Sequence, residues 1–193
     1  MLHTTNQKKC LTVPSITSVF DDGYPVSLAA MLNRRETRVK QQEAWCHLYR
    51  SALLSFTLNI PGPIKTSTML RRVFQEGCRI IHENLCALDS LVIVADETLP
   101  LATGDEYLCA FHGDPSLIKK RMMSIEEHHP LGRLFDIDIL LPSGEKLSRP
   151  RYRRCLLCDE QAQACARSRA HTLDELQTAI SHLIMANYYP GLK

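Results

Sequence analysis

His128-His129-Pro130-Leu131-Gly132-Arg133-Leu134-Phe135-Asp136-Ile137-Asp138-Ile139-Leu140-Leu141 alternates apolar and acidic residues in its second half. Side chains in a strand repeat every two positions, so Asp136 and Asp138 share one side while Ile137 and Ile139 face a core. Two carboxylates side by side on a rigid strand repel each other, and a hard divalent cation such as Mg²⁺ relieves that repulsion through oxygen ligands. Enzymes that move phosphoryl or nucleotidyl groups hold metal ions against a polyphosphate with such pairs. Gly132 and Arg133 just upstream supply close backbone approach and a fixed cation. A solvated polar face on an edge strand would alternate in the same way, so the strand alone leaves both readings open.

The segments around it alternate between helical and extended patterns. Val26 to Tyr49 has helical composition, and Ala52 to Ile60 reads as a buried strand stopped by Pro61-Gly62-Pro63. Ser67 caps a predicted helix running to about Leu88, with Leu70, Val73, Phe74, Ile80, Ile81 and Leu85 on its buried side. Leu91 to Ala95 reads as a short core strand, and Glu106 to His112 as its hairpin partner. Asp114-Pro115 opens a helix to about Glu127. Pro142-Ser143-Gly144 turns the chain after the aspartate strand, so that Glu145 to Arg149 can return antiparallel. Thr172-Leu173-Asp174-Glu175 matches a capping box for a last helix. The predicted class is α+β: a mixed, mostly antiparallel sheet flanked by helices, with a small C-terminal Cys/His segment.

The 193 residues fit a single domain. Residues 1–25 are expected to form a poorly ordered extension, 26–150 the catalytic core, and 151–193 the Cys/His segment and C-terminal helix. No apolar run approaches a membrane span, and Met1 to Cys10 has no apolar signal core, so a cytoplasmic protein without a membrane partner is expected. A net charge of +2 is too small to imply a nucleic-acid partner. The basic residues are nevertheless clustered, at Arg34 to Lys40, Arg71-Arg72, Lys119 to Arg121 and Arg149 to Arg154, and such clusters suit phosphates or an acidic protein.

Eight cysteines in a cytosolic chain argue for reduced thiols. Cys155, Cys158, Cys165 and His171 fall within one short stretch. Two cysteines separated by two residues can share a metal through a tight turn, and Zn²⁺ favours thiolate and imidazole in tetrahedral geometry. The spacing is not that of a standard zinc finger, and four unrelated residues in a partly buried segment would read the same way. In Pro61-Gly62-Pro63-Ile64-Lys65-Thr66-Ser67, Lys65 and the helix start can hold an anion, and Arg71 or Arg72 lies one turn on. A rigid structural turn is the plainer alternative, and the spacing is not a P-loop. Serine-hydrolase, zincin and Rossmann signatures do not occur.

Three segments taken together resemble one family. They are Pro61-Gly62-Pro63-Ile64-Lys65, then His129 through Asp138, then Arg153-Arg154-Cys155-Leu156-Leu157-Cys158 through Cys165-Ala166-Arg167 to His171. The chain is similar, from about Val26 to Leu176, to the citrate lyase holo-acyl-carrier-protein synthases, also called apo-citrate lyase phosphoribosyl-dephospho-CoA transferases. Phe135 stands where that family is expected to carry tryptophan.

The resemblance implies a nucleotidyltransferase-like fold and a definite reaction. The phosphoribosyl-dephospho-CoA part of 2′-(5″-triphosphoribosyl)-3′-dephospho-CoA passes to a serine of the acyl carrier protein (gamma) subunit of citrate lyase, and pyrophosphate leaves. Asp136 and Asp138 are then expected to bind Mg²⁺, with Arg133 and Gly132 at the triphosphate. The same role for Lys65, Arg71 and Arg72 rests on their charge alone. Basic clusters would dock the carrier. Two other readings compete: a zinc-stabilised interaction module without catalysis, and a nucleotidyltransferase acting on another acceptor. Paired acids preceded by Gly-Arg discriminate against the first, because a binding module does not need them.

Overall fold

A computed structural model describes residues 18–190. The elements are α1 (Leu28–Tyr49), β1 (Ala52–Leu58), α2 (Thr68–Cys86), β2 (Val92–Leu99), β3 (Glu106–His112), α3 (Pro115–His128), β4 (Phe135–Leu140), α4 (Ala162–Ser168) and α5 (Leu173–Tyr188). A single 3-10 turn, Gly132–Leu134, leads into β4. The strands form one sheet in the order β2-β3-β1-β4. Every strand pair is antiparallel, so the parallel component of the predicted mixed sheet is replaced by helix-linked antiparallel neighbours. The α+β class stands.

Periodicity decides which face each strand gives to which helix. Leu54 and Phe56 of β1, with Phe135, Ile137 and Ile139 of β4, pack against Val73, Phe74 and Ile81 of α2, Ile118 and Met122 of α3, and Ile180 and Ile184 of α5. The residues between them, Leu53 and Leu140, join Leu108 and Ala110 of β3 under Cys46, Trp45 and Tyr49 of α1. Phe56 anchors the larger layer, stacked on Phe74 at 5.1 Å and edge-on to Phe135 at 5.4 Å. Fully burying each such ring is worth about 1.5–3 kcal/mol.

Local chemistry sets the ends of the elements. Ser67 Oγ accepts the Leu70 amide, and Asp114 accepts the Ser116 amide ahead of Pro115. Thr172 and Glu175 form the reciprocal capping box. After the Pro142-Ser143-Gly144 turn, Leu141 donates to Glu145 and Leu147 donates to Ile139, both at 2.8 Å, so the return strand covers part of the outer edge of β4. β2 differs from its prediction as a core strand. It lies at the opposite sheet edge, with Val92 and Val94 exposed.

Val19 and Phe20 are buried in the main core, so the described part of the N-terminal extension is packed. The expectation of disorder for residues 1–17 lies outside the described residues. Among the described residues, no helix is long and apolar enough to cross a membrane.

Candidate functional site

Asp136 and Asp138 project from the same side of β4, opposite Thr57 and Ser55 of β1. This is the face that α1 covers, and Gln42 of α1 donates to Ser55 Oγ at 2.8 Å beside Asp138. Both acids carry cationic partners. Asp138 pairs with Lys146, which is itself more than half exposed, and Asp136 lies 3.7 Å from Arg153. Two carboxylates on one rigid strand are the oxygen donors that a hard divalent ion such as Mg²⁺ takes; of their two cations, Lys146 is exposed enough to swing away, whereas Arg153 is 20% exposed.

Beside the start of β4 opens a cavity of about 850 Å³. Its lining has a basic part, formed by Arg133, Arg149, Arg151, Arg153, Arg154 and Arg169, and an apolar part that includes Leu134, Leu156, Leu176 and Ile180. A cavity of this size and make-up suits a large ligand that carries both phosphates and an apolar body.

Glu126 organises the basic wall. It is almost fully buried at the end of α3, accepts the Ile137 amide at 2.9 Å, and pairs with Arg153 and, at 3.2 Å, with Arg149. Burial pushes its carboxyl up from the ordinary range, against the pull of Arg153, the Ile137 amide and Arg149. Arg153 also donates to the Phe135 carbonyl at 2.6 Å. This one side chain thus links the cavity to the strand that carries the acids. Sequence reading missed Glu126, because Glu126-Glu127 in a last helical turn looks like solvated charge. Lys119 was likewise hidden in a basic run. It is buried, reaches the Ile137 carbonyl at 3.1 Å, and is pushed below its ordinary pKa by that burial.

Gly132 and Arg133 both line the cavity. The need for glycine at 132 comes from the protein itself. A Cβ there would lie 2.3 Å from the Ile125 carbonyl oxygen and 2.8 Å from that of Glu126. Arg133 donates to the carbonyls of Arg154 and, at 2.9 Å, Cys155. Burial, with Arg153 close by, lowers its pKa.

The three other candidate anion ligands lie away from the cavity lining and are engaged elsewhere. Lys65 donates to the Ile60 carbonyl at 2.5 Å, and its burial lowers its pKa. Arg71 pairs with Asp105 at 3.0 Å. Arg72 lies over the Tyr188 ring, 5.0 Å from its centroid. Each cation that was expected to face an anion, Lys65 in the Pro61–Ser67 loop and Arg71 and Arg72 in α2, thus has a partner within the protein.

Cys155, Cys158, Cys165 and His171 converge, with their ligand atoms all within 4.8 Å of one another. Cys158 Sγ lies 3.5 Å from Cys165 Sγ and 3.3 Å from His171 Nε2. Such spacings place four donors around one point, as a single metal ion requires. Burial disfavours the Cys155 thiolate, but the amides of Leu157 and Cys158 and the two neighbouring thiols outweigh it and bring the pKa down to about 7. The hydrogen bond with Cys158, followed by burial, pushes Cys165 up to about 12.

Residues 26–187 match the family model described as apo-citrate lyase phosphoribosyl-dephospho-CoA transferase. The chain belongs to this family. It is 41% identical over 164 residues to a Vibrio cholerae serotype O1 (strain M66-2) protein named "Probable apo-citrate lyase phosphoribosyl-dephospho-CoA transferase", covering 82% of this chain and 91% of the relative. It is 37% identical over 165 residues to the apo-citrate lyase phosphoribosyl-dephospho-CoA transferase of Escherichia coli O7:K1 (strain IAI39 / ExPEC), covering 83% and 90%. A protein of the same name from Shigella boydii serotype 18 is also 37% identical over 165 residues. The matched span runs from the start of α1 to the end of α5. It therefore includes the paired acids, the basic cavity and the Cys/His cluster of this transferase-family chain.

Proposed function

We propose that this chain is the transferase that attaches the phosphoribosyl-dephospho-CoA group to apo-citrate lyase. The observation that carries this reading is the family match across 26–187, which spans both the cavity and the acidic strand. The donor is 2′-(5″-triphosphoribosyl)-3′-dephospho-CoA, and the acceptor is a serine of the acyl carrier protein (gamma) subunit. The serine oxygen forms a bond to the α-phosphorus as the bond from that phosphorus to the β-phosphate oxygen breaks. Pyrophosphate leaves, the serine proton passes to solvent, and a phosphodiester remains.

The residues divide this work by position. The basic wall holds the triphosphate, with Arg133 and Arg153 offsetting the charge that builds on the departing pyrophosphate. The apolar part of the lining takes the least polar portions of the dephospho-CoA, its adenine ring and pantetheine chain. Asp136 and Asp138 hold Mg²⁺, which when bound neutralises phosphate charge and favours ionisation of the serine hydroxyl. Lys65, Arg71 and Arg72 contribute by fixing the loop and helix beside the site. Soft sulfur donors suit Zn²⁺ at Cys155, Cys158, Cys165 and His171, a closed set with no position left for a reacting water. A cytoplasmic location and a nucleotidyltransferase-like arrangement of the acidic strand belong to the same reading.

The test is incubation of the purified protein with apo-carrier, the triphosphoribosyl precursor and Mg²⁺, followed by intact mass measurement of the carrier. A mass gain equal to the phosphoribosyl-dephospho-CoA group, with release of pyrophosphate, is the expected result. An unmodified carrier would reject the reading.

A further inference from the structure

Cys155, Cys165 and His171 line the same cavity as the arginines. The four donors come from separate pieces of chain: the turn after the arginine run, the short α4, and the residue before the α5 cap. Arg153 is tied to Glu126 and to the Phe135 carbonyl, and Leu156 packs on the main core, so the weakly held piece is α4. α4 is seven residues long and buries one side chain, that of Cys165. A helix this short is not stable on its own. The backbone bonds in the region are local, from Cys155 to Glu160 at 2.7 Å and from Ala162 to Arg153 at 2.9 Å. Yet this wall carries Arg153 and Arg154, and its carbonyls at 154 and 155 orient Arg133.

We infer that a metal ion held by Cys155, Cys158, Cys165 and His171 is a positioning element of the substrate site, fixing the wall that presents Arg133, Arg153 and Arg154 to an oligophosphate ligand. This rests on the reading of the basic cavity as the triphosphate site. Three sulfurs and an imidazole satisfy Zn²⁺ fully, so the ion contributes no reactive group. Its binding energy instead orders the loop and α4. Metal loss should therefore appear first as weaker phosphate binding, with the acids on β4 undisturbed.

The test uses the full chain and two ligands, inorganic triphosphate and apo-carrier. Metal content is measured by elemental mass spectrometry, and affinities by calorimetry, before stripping with a thiol-directed mercurial and chelator and after restoring Zn²⁺. One zinc per chain is expected. Stripping should weaken triphosphate binding about tenfold or more, the scale of the losses in activity when the groups that orient a metal's ligands are removed. Restored Zn²⁺ should recover it, and carrier affinity should stay level. Co²⁺ in place of Zn²⁺ should give the visible absorption of tetrahedral thiolate coordination. Cys158→Ser, which alters a donor outside the cavity lining, should raise KM for the precursor far more than it lowers kcat.

A protein that takes up neither Zn²⁺ nor Co²⁺ overturns the proposal. So does stripped protein with unchanged triphosphate affinity. If Cys158→Ser fails to fold, the strip-and-restore comparison on the natural chain still decides. Zinc-replete protein that binds triphosphate in a zinc-dependent way but leaves the carrier unmodified would instead reject the transferase reading and spare the metal's role.

Discussion

Glu126 and Arg153 form a nearly buried ion pair that fastens the arginine run to the start of β4. The carboxylate lies at the end of α3 and the guanidinium in a loop past the β4 turn, so the pair closes a long excursion of chain. Glu126→Gln keeps an oxygen for the Ile137 amide but leaves Arg149 and Arg153 without their shared anion. Because burial outweighs the attraction of the arginines for the ionised carboxyl, removing the charge should cost well below the roughly 3–5 kcal/mol usual for breaking a buried pair. Its pH dependence has a definite sign. The folded pKa is raised above the ordinary 4.5, so the folded state holds its proton more tightly. The Glu126 contribution therefore falls as pH rises from that ordinary value through the folded one. Urea unfolding across that window should show this component in the natural protein and not in the variant.

Asp136→Asn and Asp138→Asn should fold normally and abolish transfer. Asp136 is about half exposed, and the lysine that pairs with Asp138 is itself more than half exposed, so neither amide disturbs the core. Loss of a metal ligand at a triphosphate should cost at least ~10²-fold in rate, about 2.7 kcal/mol of barrier. Carrier modification followed by mass measurement, alongside thermal unfolding, separates the two effects. Near-normal transfer by both variants would remove the acids from the mechanism.

The elements of the fold were legible where one signal dominated. Alternation in β4, Pro115 after Asp114, and the Thr172–Glu175 box each fix a local conformation through backbone geometry. β2 misled because Leu91-Val92-Ile93-Val94-Ala95 has core composition yet lies at an edge, and composition does not report which neighbour covers a strand. The Cys/His cluster was legible as a group because its four donors lie close in sequence. Glu126 was not, since its meaning depends on Arg149 and Arg153, which reach it only after the chain has passed through β4 and its turn. Lys65, Arg71 and Arg72 show the same limit. Their charges were visible, but their partners Ile60, Asp105 and Tyr188 were not.

Arg133→Lys should separate the two tasks of this side chain. A lysine retains a cation but loses the planar guanidinium, in which Nη2 alone serves both carbonyls and Nε and Nη1 are left for a ligand. KM for the precursor should rise about tenfold or more, roughly 1.4 kcal/mol, with a smaller change in kcat. Steady-state kinetics with saturating carrier would show it. An unchanged KM would mean that Arg133 serves only the loop carbonyls.

Gly132→Ala should destabilise the protein and reduce phosphate binding together. The added methyl meets backbone carbonyl oxygens at 2.3 and 2.8 Å, and neither can rotate away as a flexible side chain would. Overpacking of this kind costs about 1–3 kcal/mol. Relief requires the 3-10 turn to shift, and Arg133 shifts with it. Chemical denaturation and triphosphate titration on the same variant should both move. Gly77→Ala is the control, because its methyl would meet Phe56 ring atoms at 2.4 and 2.7 Å, in the core and away from the cavity lining. That variant should lose stability with little change in titration of the folded protein.

His129 should give stability that disappears in mild acid. Its ring lies over Phe135 at 5.6 Å, with an interplanar angle of 17°. Its Nδ1 accepts the Leu131 amide at 3.1 Å, which requires that nitrogen to be unprotonated. Burial lowers its pKa below the ordinary 6.5, with Glu76 pulling the other way and Arg79 adding to the decrease. The unfolded chain therefore takes up its proton first as pH falls. The contribution is present above 6.5 and is lost as pH drops toward the folded value. His129→Gln keeps a hydrogen-bond acceptor that does not titrate. Unfolding free energies measured at about pH 7.5 and about pH 5 should differ less in this variant than in the natural protein. Equal pH slopes in the two proteins would show that the ring is not held neutral against Phe135.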